Sequence, residues 1–218
     1  MTSLKTIAVV PAHNESKTVG TVVSSLKSCV SEVIVVCDNC SDNTTEVAKA
    51  AGAFVVVRSS DPGYDAALNE GFRVAAEHGA EIFITFDADG EHDVYDVPRI
   101  LSPIIEDTAD IVIGERPQSR HIGEYFFALY TRLRYGIRDP LCGMKAYRRS
   151  VYDAVGYFDS MHSIGTELMI RGLRRGFRLV RMPITLHERA HDSSRFYAMR
   201  WRGTMRIIRA MLRVSFIT

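Results

Sequence analysis

The sequence predicts an α/β fold: one domain built on a mostly parallel central sheet with helices on both faces. Three observations carry that expectation. Short apolar, β-branched runs alternate with amphipathic stretches of helical period. Pro11, Gly52 and Gly79 punctuate the junctions. Polar clusters stand directly after the first, second and fourth apolar runs, where an open parallel sheet binds its ligands. The 218 residues, 46% of them hydrophobic, suffice for one full core.

Thr6-Ile7-Ala8-Val9-Val10 reads as a strand stopped by Pro11. Ser16 to Ser28 has helical period, with Val19, Val22, Val23 and Leu26 on one face. Glu32 to Val36 is a second buried strand. Ser41-Asp42-Asn43-Thr44 is rich in capping residues and opens a helix that Gly52 ends. Ala53 to Arg58 is a third strand, Tyr64 to His78 a helix closed by Gly79, and Glu81 to Phe86 a fourth strand. Farther on, Asp96 to Glu106 is helical, with Pro98 in its first turn. Ala109 to Gly114 is a fifth strand. Residues 115–139 mix aromatics and arginines, and residues 139–143 form a turn. Ser163 to Arg175 reads as a helix and Phe177 to Pro183 as a strand.

The net charge of +1 hides an asymmetry. Six arginines and no acid fall in residues 195–218, which leaves 21 of the 27 basic residues against all 26 acidic ones in the body. The acidic body argues against nucleic-acid binding. No run of 18 apolar residues predicts a membrane span, and the N-terminus lacks a signal-peptide pattern, so a cytoplasmic location is expected. Cys37-Asp38-Asn39-Cys40 is a C-x-x-C that suits redox chemistry or zinc. No second pair completes a zinc set, and reduced thiols are the expectation.

The most telling stretch is Asp87-Ala88-Asp89-Gly90-Glu91-His92, at the end of the fourth apolar run. Two carboxylates two residues apart there suit a hard cation such as Mg²⁺ or Mn²⁺, which bridges to a diphosphate. A solvated acidic turn is the plain alternative. Pro11-Ala12-His13-Asn14-Glu15 and Cys37-Asp38-Asn39 fall at the same edge, and three clusters converging on one edge favour a site.

Together these residues resemble the inverting family-2 glycosyltransferases of the GT-A fold, most of all the dolichol-phosphate mannose synthase branch with polyprenyl phosphate acceptors. The resemblance runs from about residue 5 to residue 200. It is carried by Val10 to Glu15, Asp38 with Ser41-Asp42-Asn43-Thr44, Asp87 to Asp93, Ile113-Gly114-Glu115-Arg116, Asp139 with Cys142 to Arg149, Ile164 to Leu168, and Arg189 with Asp192, Ser194 and Arg195. It implies that Pro11, Ala12, Asn14, Glu15 and Asp38 line a nucleotide pocket. It implies that Asp87, Asp89 and Glu91 hold Mg²⁺ or Mn²⁺ on the diphosphate, with Asp89 catalytic through that metal. Arg116 and Arg120 would face an acceptor phosphate, Glu167 would lie near the acceptor, and Arg189, Ser194 and Arg195 would close over the donor.

The chain departs from the family in three places. Cys37-Asp38 replaces an Asp-Asp pair, Gly63-Tyr64-Asp65 replaces Gly-Lys-Gly, and Asp192 and Arg195 replace a Gly and a Lys. The base and the sugar of the nucleotide-sugar donor therefore stay open. Transfer to a saccharide or soluble acceptor, sugar nucleotidyl transfer, and a non-catalytic regulator are the competing readings. The Pro11 to Glu15 stretch, where a nucleotidyltransferase needs a Gly-rich loop, argues against the second. The intact Asp87/Asp89 pair argues against the third. Residues 196–218 read as a separate basic amphipathic helix, with Tyr197, Trp201, Met205, Ile208, Leu212 and Phe216 on one face and Arg202, Arg206, Arg209 and Arg213 beside it. That pattern suits peripheral contact with anionic lipid, and equally packing on the body or in a homo-oligomer.

Overall fold

The computed structural model describes residues 4–60, 62–117, 122–187 and 200–215. The alternating pattern resolves into β1 Thr6–Ala12, α1 Val19–Leu26, β2 Glu32–Asp38, α2 Thr44–Ala50, β3 Phe54–Arg58, α3 Tyr64–Glu77 and β4 Ile82–Thr85. After these come α4 Val97–Ile105, β5 Ile111–Glu115, α5 Ile122–Tyr135, β6 Lys145–Arg148, α6 Arg149–Val155, α7 Glu167–Arg174, β7 Leu179–Pro183 and α8 Arg200–Ser215. Gly52 and Gly79 do end α2 and α3, each with a left-handed φ, near +92° and +79°.

One seven-stranded sheet results, in the order β3-β2-β1-β4-β6-β5-β7. β6 alone is antiparallel to its neighbours; the other pairings are parallel. The central strands are buried on both faces, which is why they read as unbroken apolar runs. Pro11 does not stop the first strand. β1 continues to Ala12, with Pro11 opposite Val36 on β2. The ladder to β4 ends at Val9, so at Pro11 β1 pairs on one side only, and a residue without an N–H is tolerated there.

Helix α3 lies close against the sheet because Gly71 has no side chain: a Cβ there would sit 2.3 Å from Val9 Cγ1. Beside it Phe72, Phe83, Tyr147, Tyr152 and Phe158 form an aromatic cluster with centroids 4.6–6.2 Å apart. β6 and α6 were not expected. Lys145-Ala146-Tyr147-Arg148 is too short and too charged at its ends to announce a strand, and only its insertion between β4 and β5 makes it one. The helix at α5 occupies the stretch of mixed aromatics and arginines, to which the sequence assigned no element.

α8 is helical as expected and packs against α5. Among its described side chains Ile207 and Ala210 are buried, and neither belongs to the predicted apolar face. Met205 and Leu212 of that face stay exposed. Tyr197 and Phe216 lie outside the described residues. No described helix is long and apolar enough to cross a membrane.

Candidate active site

β1, β2 and β3 run outward in order, and the chain then returns to set β4 on the other side of β1. The strand order reverses beside β1, so the crevice outside the carboxyl ends of β1 and β4 is where an open α/β sheet takes a ligand. The loops after β1, β2 and β4 meet there.

On the β2 side, Pro11 and Ala12 finish β1, and Asn14 takes a left-handed φ of 56°. Asn14 Oδ1 accepts the Ser41 N–H at 2.7 Å, which ties the first loop to the second. The Glu15 N–H donates to Thr44 Oγ1 at 2.8 Å. Asp42 accepts from the Thr44 and Ser16 N–H groups at 3.0 and 3.2 Å. Partial burial opposes ionisation of Asp42, but the Thr44 hydroxyl, donating to Oδ1 at 2.5 Å, together with these bonds outweighs it and lowers its carboxyl to about 2. Asp38 ends β2 and is only 6% exposed. Its Oδ1 takes Arg58 Nη1 and its Oδ2 takes the Gly63 N–H, both at 2.7 Å. Asn39 Nδ2 also donates to Oδ1 at 3.5 Å, and of the roughly four lone-pair sites of a carboxylate one remains for a further donor. Cys37 and Cys40, expected as reduced thiols, are joined in a disulfide across this same loop. Cys29 and Cys142 are free.

On the β4 side, Asp87 Oδ2 meets His92 Nε2 at 3.1 Å, and the Tyr64 hydroxyl lies 3.4 Å from Oδ1. Burial would push the Asp87 carboxyl up. The hydrogen bond and charge of His92, then Lys145 and Arg116, hold it below its usual range. Burial likewise disfavours charged His92, and Asp87 more than offsets this. The Asp87 side chain keeps 29% of its surface, so a ligand can reach it. Behind it lies Gly143, where a Cβ would stand 2.0 Å from Asp87 Oδ2. Thr85 holds that turn in place, donating to the Gly143 carbonyl at 2.6 Å and accepting the Lys145 N–H at 3.0 Å.

Asp89 Oδ1 accepts the Glu91 N–H at 3.0 Å, which fixes the bend of the acidic loop. The predicted trio Asp87, Asp89 and Glu91 is not a preassembled cage: the described residues contain no group of three His, Cys, Asp or Glu side chains that could hold an ion. A pair is enough for Mg²⁺, which keeps waters and is bound through one or two carboxylates and substrate phosphates. The hard oxygen donors of Asp87 and Asp89, with Gly143 leaving room behind the first, fit that mode.

Two expected residues have other work. Arg116 grips Asp139 through Nε and Nη2 at 2.7 and 2.8 Å, and Nη2 also reaches Glu124 at 3.2 Å. Its charge is committed to anchoring the 139–143 turn. Glu167, expected near the acceptor, has no exposed surface. It accepts from the N–H groups of Ser160 and Met161 and from Arg171 Nε, at 2.6, 3.1 and 2.7 Å. It organises the 157–161 loop from the first turn of α7. Arg120, Arg189, Ser194 and Arg195 lie outside the described residues. The sequence reading passed over Arg58, although it ends the third strand at the same edge. It also gave His92 no part, and only the fold shows that it backs Asp87.

The sequence model of the glycosyl transferase family 2 matches residues 7–156. The undecaprenyl-phosphate mannosyltransferase of Micrococcus luteus is 30% identical over 215 residues, spanning 88% of this chain and 87% of that protein. The polyprenol monophosphomannose synthase of Mycolicibacterium smegmatis is 28% identical, over 85% of this chain and 78% of its own length. Among solved structures, glucosyl-3-phosphoglycerate synthase from Mycobacterium tuberculosis with Mn²⁺ and uridine-diphosphate-glucose superposes with a TM-score of 0.77 at 22% identity. That match covers 99% of this chain and 80% of the other, and it shows a shared fold.

Proposed function

The chain belongs to glycosyl transferase family 2 and is a glycosyltransferase, and from that premise we propose that it moves a sugar, with inversion, from GDP-mannose or a UDP-sugar to a polyprenyl phosphate. The observation that carries the donor side is that Asp38, Asp87 and the first loop all stand at the carboxyl ends of β2, β4 and β1, where strand order reverses. The base lies toward Asp38, whose carboxylate is held rigid by Arg58 and Gly63. The diphosphate lies toward Asp87 and Asp89.

Mg²⁺ or Mn²⁺ bound by these two carboxylates supplies Lewis-acid stabilisation of the departing nucleoside diphosphate. His92 keeps Asp87 ionised and aimed, so the site is preorganised before the donor arrives. A phosphate monoester acceptor, with a second pKa of about 6, is already mostly ionised at neutral pH and needs no strong base. That agrees with the burial of Glu167. Arg120 is assigned to the acceptor phosphate, and Arg189, Ser194 and Arg195 to the donor diphosphate, on the family resemblance alone.

The acceptor's lipid is supported by the relatives' names and by one surface. Tyr125, Phe126, Leu129 and Leu133 of α5 and Met205 and Leu212 of α8 are exposed, at 40–80%. Arg132, Arg134 and Arg209 are exposed beside them. An apolar face flanked by arginines suits the cytoplasmic face of an anionic membrane. The test is incubation with a panel of nucleotide sugars and Mn²⁺, with and without polyprenyl phosphate, reading released nucleoside diphosphate and labelled lipid. Release that depends on polyprenyl phosphate is expected and should vanish in Asp89→Ala. Equal release with a water-soluble saccharide, and none with the lipid, would overturn the acceptor assignment.

A further inference from the structure

We propose that Cys37 and Cys40 form a thiol–disulfide exchange site that sets donor affinity, an inference that rests on the donor-pocket reading above. The bond closes a ring of four residues at the carboxyl end of β2, with Cα atoms 5.7 Å apart. The two residues inside the ring are Asp38, which the donor pocket uses, and Asn39. Asp38 presents its carboxylate to Arg58 and Gly63, and its carbonyl meets His13 Nδ1. Asn39 sits at a φ of 51°, a left-handed conformation that a non-glycine residue rarely adopts. Its backbone N–H reaches the Arg58 carbonyl at 2.9 Å and its Nδ2 the Ser60 carbonyl at 2.8 Å.

The ring thus lies between the first loop, through His13, and the end of β3, through Arg58 and Ser60. With the bond closed, this turn has few alternatives. With it open, only hydrogen bonds, to Arg58, Gly63 and Ser60, keep Asn39 in the left-handed region and Asp38 in its aim, and the turn samples more conformations. In a reducing compartment a disulfide is transient and regulatory rather than a permanent staple.

The two sulfurs differ in access. Cys37 is fully buried on the strand, whereas Cys40 is half-buried. A thiolate of an external dithiol reductant attacks Cys40 Sγ. The Cys37–Cys40 bond breaks as the mixed disulfide forms, and Cys37 leaves as a thiolate and takes a proton. The reductant's second thiolate then attacks its own sulfur in the mixed disulfide and releases Cys40, which is protonated in turn. Two electrons and two protons have moved to the protein, and the reductant ends as a disulfide. Oxidation runs the same steps backward.

Opening the ring loosens two residues, which must be ordered again when the donor binds. Part of that cost falls on donor binding, so reduction should weaken it about tenfold, the factor that corresponds to ~1.4 kcal/mol. By linkage, bound nucleotide should make the disulfide harder to reduce by the same factor.

The experiment uses the full chain, oxidised and reduced, with the two states checked by intact mass and thiol titration. GDP and UDP affinities with Mn²⁺ are measured by calorimetry in both. The bond is then equilibrated in dithiol/disulfide buffers with and without the tighter nucleotide. Expected are about tenfold tighter binding to the oxidised form, a matching shift of the redox midpoint, and reduced-like affinity in Cys40→Ser whatever the buffer. Equal affinities in the two states, or a pair that never oxidises, would overturn the proposal, and neither result depends on the variant folding. If neither nucleotide binds in either state, the donor-pocket reading fails and the coupling with it, while thiol titration still reports the exchange by itself.

Discussion

Replacing Gly143 with alanine tests whether Asp87 matters through its position. The new Cβ would stand 2.0 Å from Oδ2, 2.7 Å from Cγ and 2.9 Å from Oδ1 of Asp87. A non-bonded contact needs about 3.5 Å, so the carboxylate must retreat by roughly 1.5 Å. It can swing toward solvent, since 29% of its surface is already exposed, but it then leaves His92. A misplacement of about 1 Å in a reacting assembly costs roughly 100-fold in rate, or about 2.7 kcal/mol of barrier. The overpacking itself should cost the fold about 1–3 kcal/mol, and each kcal/mol lowers Tm by about 2–4 °C in a chain of this size. Gly143→Ala should therefore stay folded a few degrees below wild type and turn over about 100-fold more slowly. Its Mn²⁺-dependent nucleotide affinity should fall as well. Steady-state release of nucleoside diphosphate, calorimetry and a thermal melt read the three quantities. Wild-type turnover with wild-type metal-dependent affinity would show that the aim of Asp87 is irrelevant and would refute the reasoning.

Asp38→Ala should weaken nucleoside diphosphate binding by about 1–3 kcal/mol, since a charge-assisted bond is lost and Arg58 is left without its carboxylate; unchanged affinity by calorimetry would contradict this. Glu167→Ala should destabilise the fold by about 3–5 kcal/mol in denaturant titration, because Arg171 and two N–H groups lose a buried partner; a wild-type midpoint with lost transfer would return Glu167 to the acceptor. Asp42 titrates at about 2 in the folded chain, below its unfolded value near 3.9, so its contribution is complete above pH 4 and vanishes as pH falls toward 2. Wild type should thus exceed Asp42→Asn in stability at pH 6, with the gap closing by pH 2, and a pH-independent gap would count against the assignment. Phe126→Ser with Leu133→Ser should reduce sedimentation with anionic liposomes while leaving nucleotide binding intact; unchanged sedimentation would remove α5 from the membrane face.

The sequence by itself determined most of the first half of this protein. Strands buried on both faces must be apolar throughout, so Thr6 to Val10, Glu32 to Val36 and Glu81 to Phe86 were legible without neighbours. Helix ends that need a left-handed residue betray themselves by Gly52 and Gly79. The placement of Asp38 and Asp87 at one edge followed from the alternation, because parallel strands point their carboxyl ends the same way. Tertiary structure decided what local pattern cannot encode. The four residues of β6 become a strand only between β4 and β5. Pro11 is tolerated because β4 stops short of it. Arg116 and Glu167 stand in a linear motif without visible partners, and only the fold shows that Asp139 and the 157–161 loop meet their charges. The bond between Cys37 and Cys40 depends on where the β2 turn brings two sulfurs, and spacing alone left them as thiols. Hydrophobic period is a property of neighbouring residues along the chain. The partner of a charge or a thiol is set by distance in space, which only the fold supplies.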